Sequence, residues 1–407
     1  MKSLIVPMPR ILFLNRSYWP DSEATGQLLT ALCEGLAKDF DVHVLAGQPN
    51  AAADSEWQDV QVRNGVTIHR VSHTTFSKRR MLLKAVNFLS FVRAAGRQAA
   101  QLPKPDVVVF ETDPFLLPYV ARRLSKTTGC RVIGYLQDIY PDVAVALGKV
   151  PNSWPIRRLR QSLFRIYQNC DRMVVLSRDM QQLMEEGGVP SDRIRRIPNW
   201  ADPNVVYPVE TNNVFIDRHG LAGKFVVMYS GNLGLTQRLE EFIEAAVILR
   251  DDPRIQFVLI GQGARKADLQ AQVASEKLSN VRFLDYQPLS ELAHSLSAAD
   301  LHLVPLTQTL AQCLMPSKLY GILAAGRPYL TNAPEGTELH EITVQEQVGL
   351  TCRAGDPRLI ADSIRAAIAN PSQLALYREN ARRLAITQYT QAHAVSAFRQ
   401  LLTEVTR

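Results

Sequence analysis

A chain of 407 residues can bury two separate cores, and 46% apolar with 21% charged residues is the composition of a water-exposed globular protein. No apolar run approaches the ~20 residues that cross a bilayer, and the apolar stretch at the start is shorter than a secretory signal needs, so a cytoplasmic location is expected. The formal net charge of +7 is uneven: nine Lys or Arg and no acid from Val60 to Pro105, then five and none from Val143 to Cys170, so the first half is electropositive and suits an anionic partner.

In chain order, the first half alternates strand-like and helix-like segments. The strands are Ile11 to Leu14, Asp41 to Gly47, Val66 to Val71, Asp106 to Phe110, Cys130 to Leu136, Arg172 to Ser177 and Ile194 to Asn199, with helical stretches such as Thr25 to Lys38 between them. Three prolines fall in the eleven residues Pro198 to Pro208, which marks a linker. The alternation restarts with Phe225 to Gly231, Ile255 to Gly261, Val281 to Tyr286, Leu301 to Leu306, Tyr329 to Ala333 and Gly349 to Arg353, and a last helix runs from about Thr390 to Thr406. Such alternation predicts two doubly wound α/β domains with parallel sheets, and ligands at the carboxyl ends of their strands.

The cysteines (Cys33, Cys130, Cys170, Cys313, Cys352) are scattered without a CxxC pair, so reduced, mostly buried thiols are expected and not a disulfide frame or zinc site. His69 and His73 stand four apart, but His69 lies in a strand, where that spacing does not align two rings; no metal is expected.

Several strand ends carry polar loops. After the first strand, Gly26 and Gln27 fall in the first turn of a helix, where amides can approach a phosphate; a plain turn capped by Asp21 or Ser22 is the alternative. After Cys130 to Leu136 comes QDIYPD, with Gln137 and Asp138 leading. Asp138 can equally cap a helix. In the second half, YSGNLGLTQR places Gly231, Asn232, Gln237 and Arg238 after a strand, and GQG follows the next from Gly261. Tyr286 ends the strand after that. The richest segment is MPSKLYGILAAGRP, Met315 to Pro328. Its Pro316, Ser317, Lys318 and Leu319 open a short helix whose N-terminal amides suit an anion, and Lys318 is a cation at the wrong end of the dipole unless an anion joins it.

This last segment, with YPDVAVALG, resembles the retaining glycosyltransferases of family 4, in the branch that builds bacterial exopolysaccharides of the colanic-acid type. The resemblance implies the GT-B fold: two Rossmann-like doubly wound domains facing a cleft, with residues 1–203 and a returning C-terminal helix at 386–407 forming the acceptor domain and 204–385 the nucleotide-sugar domain. It implies sugar transfer from a nucleoside-diphosphate sugar to a hydroxyl, with retention, no metal and no cofactor besides the donor. The acceptor is expected to be a saccharide, lipid-linked in the branch's usual chemistry. Gly26, Gln27, Gly231, Asn232, Gln237, Arg238, Gly261, Tyr286, Pro316, Ser317, Lys318 and Leu319 would bind donor, and Gln137 and Asp138 would serve the reacting centre.

The sequence departs from the family pattern in three places. The two glutamates usual around the donor helix are Cys313 and Gly321, the usual histidine is Gln137, and the two diphosphate cations are Asn232 and Gln237. A degenerate donor-binding subunit and a nucleotide-sugar epimerase of the same shape therefore stand beside the transferase reading. The basic segments Phe76 to Gln98 and Trp154 to Gln168 set Arg and Lys among Leu, Phe, Ile and Trp at helical spacing, which suits contact with an anionic membrane surface or, alternatively, a core-packed helix with a solvated face. No nucleic-acid module is present.

Overall fold

The computed structural model describes residues 8–21, 23–49, 58–76, 81–234 and 237–407, with side chains omitted at 81, 82 and 84. Contacts divide the chain into two compact units. The first comprises residues up to 145, 150–198 and 391–407; the second comprises 146–149 and 199–390.

The first unit is built on β1 (Arg10–Leu14), β2 (Asp41–Gly47), β3 (Val60–Arg63), β4 (Val66–Val71), β5 (Val107–Phe110), β6 (Arg131–Tyr135), β7 (Arg172–Val175) and β8 (Ile194–Arg196). Their order is β3-β4-β2-β1-β5-β6-β7-β8, parallel except for β3. The central strands are apolar on both faces because helices cover both, so VVVF of β5 is buried at every position. From β1 the chain winds to one side and then returns to lay β5 on the other. That reversal puts a switch point between the carboxyl ends of β1 and β5. The edge strand β3 was not among the expected strands. It pairs with β4 through Asn64 and Gly65, both at positive φ (46° and 83°), the two-residue turn that Asn-Gly favours.

The last helix, Gln391–Thr406, belongs to this first unit. Phe398 is fully buried with its ring edge-on to Tyr135, centroids 4.8 Å apart. Arg399 pairs with Asp39 at 2.7 Å, and the Gln391 amide donates to the Ala31 carbonyl at 2.8 Å.

The second unit holds β9 (Phe225–Ser230), β10 (Ile255–Ile260), β11 (Val281–Leu284), β12 (Leu301–Leu303), β13 (Tyr329–Thr331) and β14 (Gly349–Thr351), all parallel in the order β11-β10-β9-β12-β13-β14. Its switch point lies between β9 and β12. The short helix Lys318–Ala324 follows β12, with Gly326 at φ +62° closing it and Arg382 donating to the Ala324 carbonyl at 2.7 Å, a cation at the negative end of the dipole. Of the five cysteines, all free, four are buried and Cys352 is partly so.

Candidate functional site

In the second unit, the loops after β9 and β10 lie against each other at the carboxyl end of the sheet. Gly231 (φ +147°) and Gly261 (φ +146°) adopt backbone that side chains rarely tolerate, and a Cβ on Gly261 would sit 1.9 Å from the Gly231 carbonyl oxygen. A Cβ on Gly263 would meet the Leu233 carbonyl at 2.2 Å. Only glycine lets these two loops close together. Tyr286, 53% exposed, stands beside them, its ring 3.6 Å from the position of a Gly261 Cβ.

Lys318 comes to the same place from the other side of the switch point. Its Nζ lies 3.8 Å from the centroid of the Tyr229 ring, and a Cβ on Gly231 would be 3.1 Å from it. The Tyr229 hydroxyl donates to the Asn232 carbonyl at 2.8 Å, which fixes the ring under the ammonium. The face of the ring attracts the cation, yet no carboxylate pairs with Lys318 among the described residues. Burial pushes its pKa down to about 7. An ammonium held this way is a site that an anion would complete.

The other expected contacts of this unit separate by what already holds them. Arg238, at φ +47°, turns its guanidinium onto the buried carboxylate of Glu241 at 2.5 Å, and that carboxylate also accepts from the Gly355 amide at 3.1 Å. Asn232 and Gln237 flank Gly234, and the Gln237 carbonyl oxygen is buried without a hydrogen-bond partner among the described residues. Ser317 is exposed and Pro316 buried. The Leu319 side chain is fully buried in the core, and its amide donates to the Pro316 carbonyl at 3.1 Å. At the positions of the two missing glutamates, the Cys313 thiol donates to the Thr309 carbonyl at 3.2 Å, and a Cβ on Gly321 would meet Leu296 at 3.3 Å.

In the first unit, the switch point is spanned by an ion pair. Arg16, in the loop after β1, meets Asp113, beyond β5, through Nε at 3.2 Å and Nη2 at 2.9 Å, and Nη2 also meets Glu23 at 3.2 Å. Gly26 lies in the first turn of the helix Ala24–Leu36, where a Cβ would be 2.5 Å from Ser17 Oγ; Gln27 beside it is exposed. Asp21 accepts from the Ser17 hydroxyl at 3.2 Å and does not cap the helix, whose N-cap is Glu23; Ser22 lies outside the described residues. Gln137, just after β6, is only 6% exposed: its amide donates to the Glu111 carboxyl at 3.5 Å and bonds the Tyr135 hydroxyl. Asp138 is half-buried, and Tyr140 stacks on Phe115 with centroids 5.0 Å apart. His69 is paired with His43 at 2.9 Å, away from His73.

Arg16, Glu111, Asp113 and Tyr229 were not singled out from the sequence. The acids of ETDP (Glu111 to Pro114) directly after a buried strand were a readable signal for two of them. Tyr229 gave none, because an aromatic residue inside a strand reads as core.

Residues 25–205 match the family model described as Glycosyltransferase Family 4, and residues 213–384 match Glycosyl transferases group 1. The chain is 30% identical over 258 residues to a probable glycosyltransferase, WbjE, of Pseudomonas aeruginosa, covering 63% of this chain and 64% of that protein. It is 27% identical over 390 residues to the putative colanic acid biosynthesis glycosyl transferase WcaI of Escherichia coli (strain K12), covering 92% and 96%. Among solved structures, the sucrose-phosphate synthase of Thermosynechococcus elongatus superposes with a TM-score of 0.76 at 17% identity, over 98% of this chain and 99% of that one. HepE of Anabaena, in complex with UDP and glucose, gives 0.72 at 16%, over 98% and 100%.

Proposed function

The chain belongs to the family 4 glycosyltransferases, and we propose that it moves a sugar from a nucleoside-diphosphate sugar to a hydroxyl of a lipid-linked saccharide, as a step in surface polysaccharide assembly. The observation that carries the donor assignment is the ammonium of Lys318 on the Tyr229 ring beside Gly231, without a counter-charge among the described residues. A diphosphate supplies that charge, and a contact to phosphate from an ionised group is about twice as strong as a neutral one. The closely packed loops around Gly231 and Gly261 stand beside that ammonium, and the exposed Tyr286 ring offers a face to the base.

In the proposed reaction the acceptor hydroxyl attacks the anomeric carbon on the face that the diphosphate leaves, so configuration is retained. The leaving phosphate oxygen takes the hydroxyl proton, which removes the need for a titratable side chain at Gln137. Lys318 and the Ser317 amide stabilise the charge that develops on the diphosphate, the role that an oxyanion site plays. Gly26 and Gln27 serve phosphate from the first unit, and Gln137 with Asp138 positions sugar and acceptor. No step uses a metal.

The membrane-side acceptor draws support from the first unit's surface. The helices Met81–Ala99, Leu117–Thr128 and Trp154–Tyr167 pack side by side, and none contains an Asp or Glu. They expose Arg93, Arg97, Arg122, Arg123, Lys126, Arg157, Arg158 and Arg165, together with the apolar Leu89 and Trp154. The residues Lys78, Arg79 and Arg80 of the first basic segment lie outside the described residues. Each basic group at an anionic surface adds about 1 kcal/mol.

A second reading, donor binding without turnover, is favoured by the absence of both glutamates at Cys313 and Gly321. Calorimetric titration with UDP-glucose, with UDP as a control because HepE was solved with it, followed by assays of transfer and donor hydrolysis, tests both. Saturable binding that Lys318→Ala weakens at least tenfold supports the donor site. Binding without transfer to any lipid-linked saccharide supports the second reading. Transfer undiminished in Lys318→Ala refutes the assignment of the site.

A further inference from the structure

The carboxyl of Glu111 is 1% exposed at the carboxyl end of β5, and nothing in the reaction just described uses it. Its Oε1 accepts from the Gln137 amide at 3.5 Å, while Oε2 is buried without a hydrogen-bond partner among the described residues. Around it are Cys33 and Tyr135, both fully buried, and the acid Asp113 two residues on. Tyr18, also fully buried, lies beside the Cys33 thiol behind it. Burial in this setting holds Glu111 well above the usual carboxylate range, with Asp113 adding to the shift and the Gln137 amide opposing it.

Such a group is costly. A buried polar atom left unpaired loses its hydration without recompense, and an apolar side chain of similar volume avoids that loss. Packing therefore does not account for a carboxyl here. The neighbour that uses it is Gln137. With its amide bonded to Glu111 and to the Tyr135 hydroxyl, Gln137 is held from two sides directly before Asp138.

We infer, resting on the transferase reading above, that Glu111 is a positioning residue: its carboxyl anchors the Gln137 amide and thereby sets Asp138 toward the acceptor hydroxyl. It does not touch substrate itself. Removing the carboxyl should therefore lower activity without lowering stability, which a residue serving only the core would not do.

The test uses full-length Glu111→Leu and Glu111→Gln, with thermal unfolding, donor titration and steady-state transfer. Glu111→Leu is expected to raise the melting temperature or leave it unchanged, to lower kcat at least tenfold, and to leave the donor KM within twofold, since it leaves Lys318 and the loops around Gly231 and Gly261 untouched. Glu111→Gln keeps a carbonyl oxygen for the Gln137 amide and is expected to restore most of kcat. A Leu variant with wild-type kcat overturns the inference alone. So does a parallel loss of stability and activity in both variants, which would make Glu111 a packing residue. A wild-type protein that binds donor but transfers nothing overturns the transferase reading, and this inference with it.

Discussion

On the proposed donor site, Lys318 would make donor binding depend on pH in a way that can be worked out in advance. Its pKa is pushed from 10.5 to about 7 by burial, a displacement of 3.5 units, or at most about 5 kcal/mol of differential stability at 1.36 kcal/mol per unit. The folded-state value is the lower one. Between pH 7 and 10.5 the unfolded chain therefore binds the extra proton, and stability of the unliganded protein rises with pH across that window. Below pH 7 both states are protonated and the full penalty is carried. Replacing Lys318 by Met removes the penalty together with a cation–π contact of about 1 kcal/mol, so the variant should be more stable at pH 7 and should bind donor more weakly. A bound diphosphate favours the ammonium, so binding takes up a proton above pH 7. If the bound pKa lies well above 9, affinity should fall about 50-fold between pH 7 and 9 by linkage. A nucleotide sugar is the right probe, because its diphosphate diester does not titrate in this range. Calorimetry in two buffers of different ionisation enthalpy would measure the proton uptake directly. Affinity that is flat from pH 7 to 9, or a slope that persists unchanged in Lys318→Met, would refute the reasoning.

Other predictions follow from single contacts. Gly261→Ala places a Cβ on the Gly231 carbonyl at a φ of +146°, so donor affinity should drop tenfold or more while far-UV circular dichroism stays native. Phe398→Ala empties a fully buried site beneath the last helix and should cost about 3–5 kcal/mol in denaturant unfolding of the first unit. Co-sedimentation with anionic vesicles should exceed that with zwitterionic ones and fall with salt. Charge reversal at Arg122, Arg123 and Arg157 together should abolish the difference, and equal binding to both vesicle types would remove the membrane claim.

The strands of both sheets were legible because parallel strands buried on two faces appear as continuous apolar runs. β3 was hidden for the opposite reason. Val60 and Val62 are 50% and 72% exposed on a sheet edge, so the strand carries no apolar run. The one local signal was Asn64-Gly65. The site was legible where glycine, lysine or acid stood at a strand end, and illegible where a partner came from a distant element. Lys318 could be named from its own segment, but Tyr229 beneath it lies 89 positions earlier in sequence. Leu319 shows the effect of helical phase: one step along a helix turns a side chain by about 100°, enough to bury it in the core while its neighbour Lys318 reaches Tyr229. Gln137 is the subtler case. A polar residue after a buried strand reads as exposed, but a second polar residue, Glu111, met it inside.

These contacts suggest how the donor loops manage without the charges that the family pattern supplies. Of the cations now near them, Arg238 is committed to Glu241, and Glu241 is committed in turn to the Gly355 amide. Lys266 is likewise held by Asp285 at 2.7 Å. Lys318 alone among these three has an aromatic face in place of a carboxylate. An ion pair already made must be broken before its cation can serve a ligand, whereas an ammonium on a ring gives up only a weak contact and gains a counter-ion. The cost of the unpaired ammonium is then carried by the unliganded protein, where it lowers stability, and is recovered on binding. Pairing Lys318 in advance, by Tyr229→Glu, should stabilise the unliganded protein and weaken donor binding together. A Tyr229→Glu variant that binds donor as tightly as the wild type would show that the ammonium is not the group that receives the diphosphate.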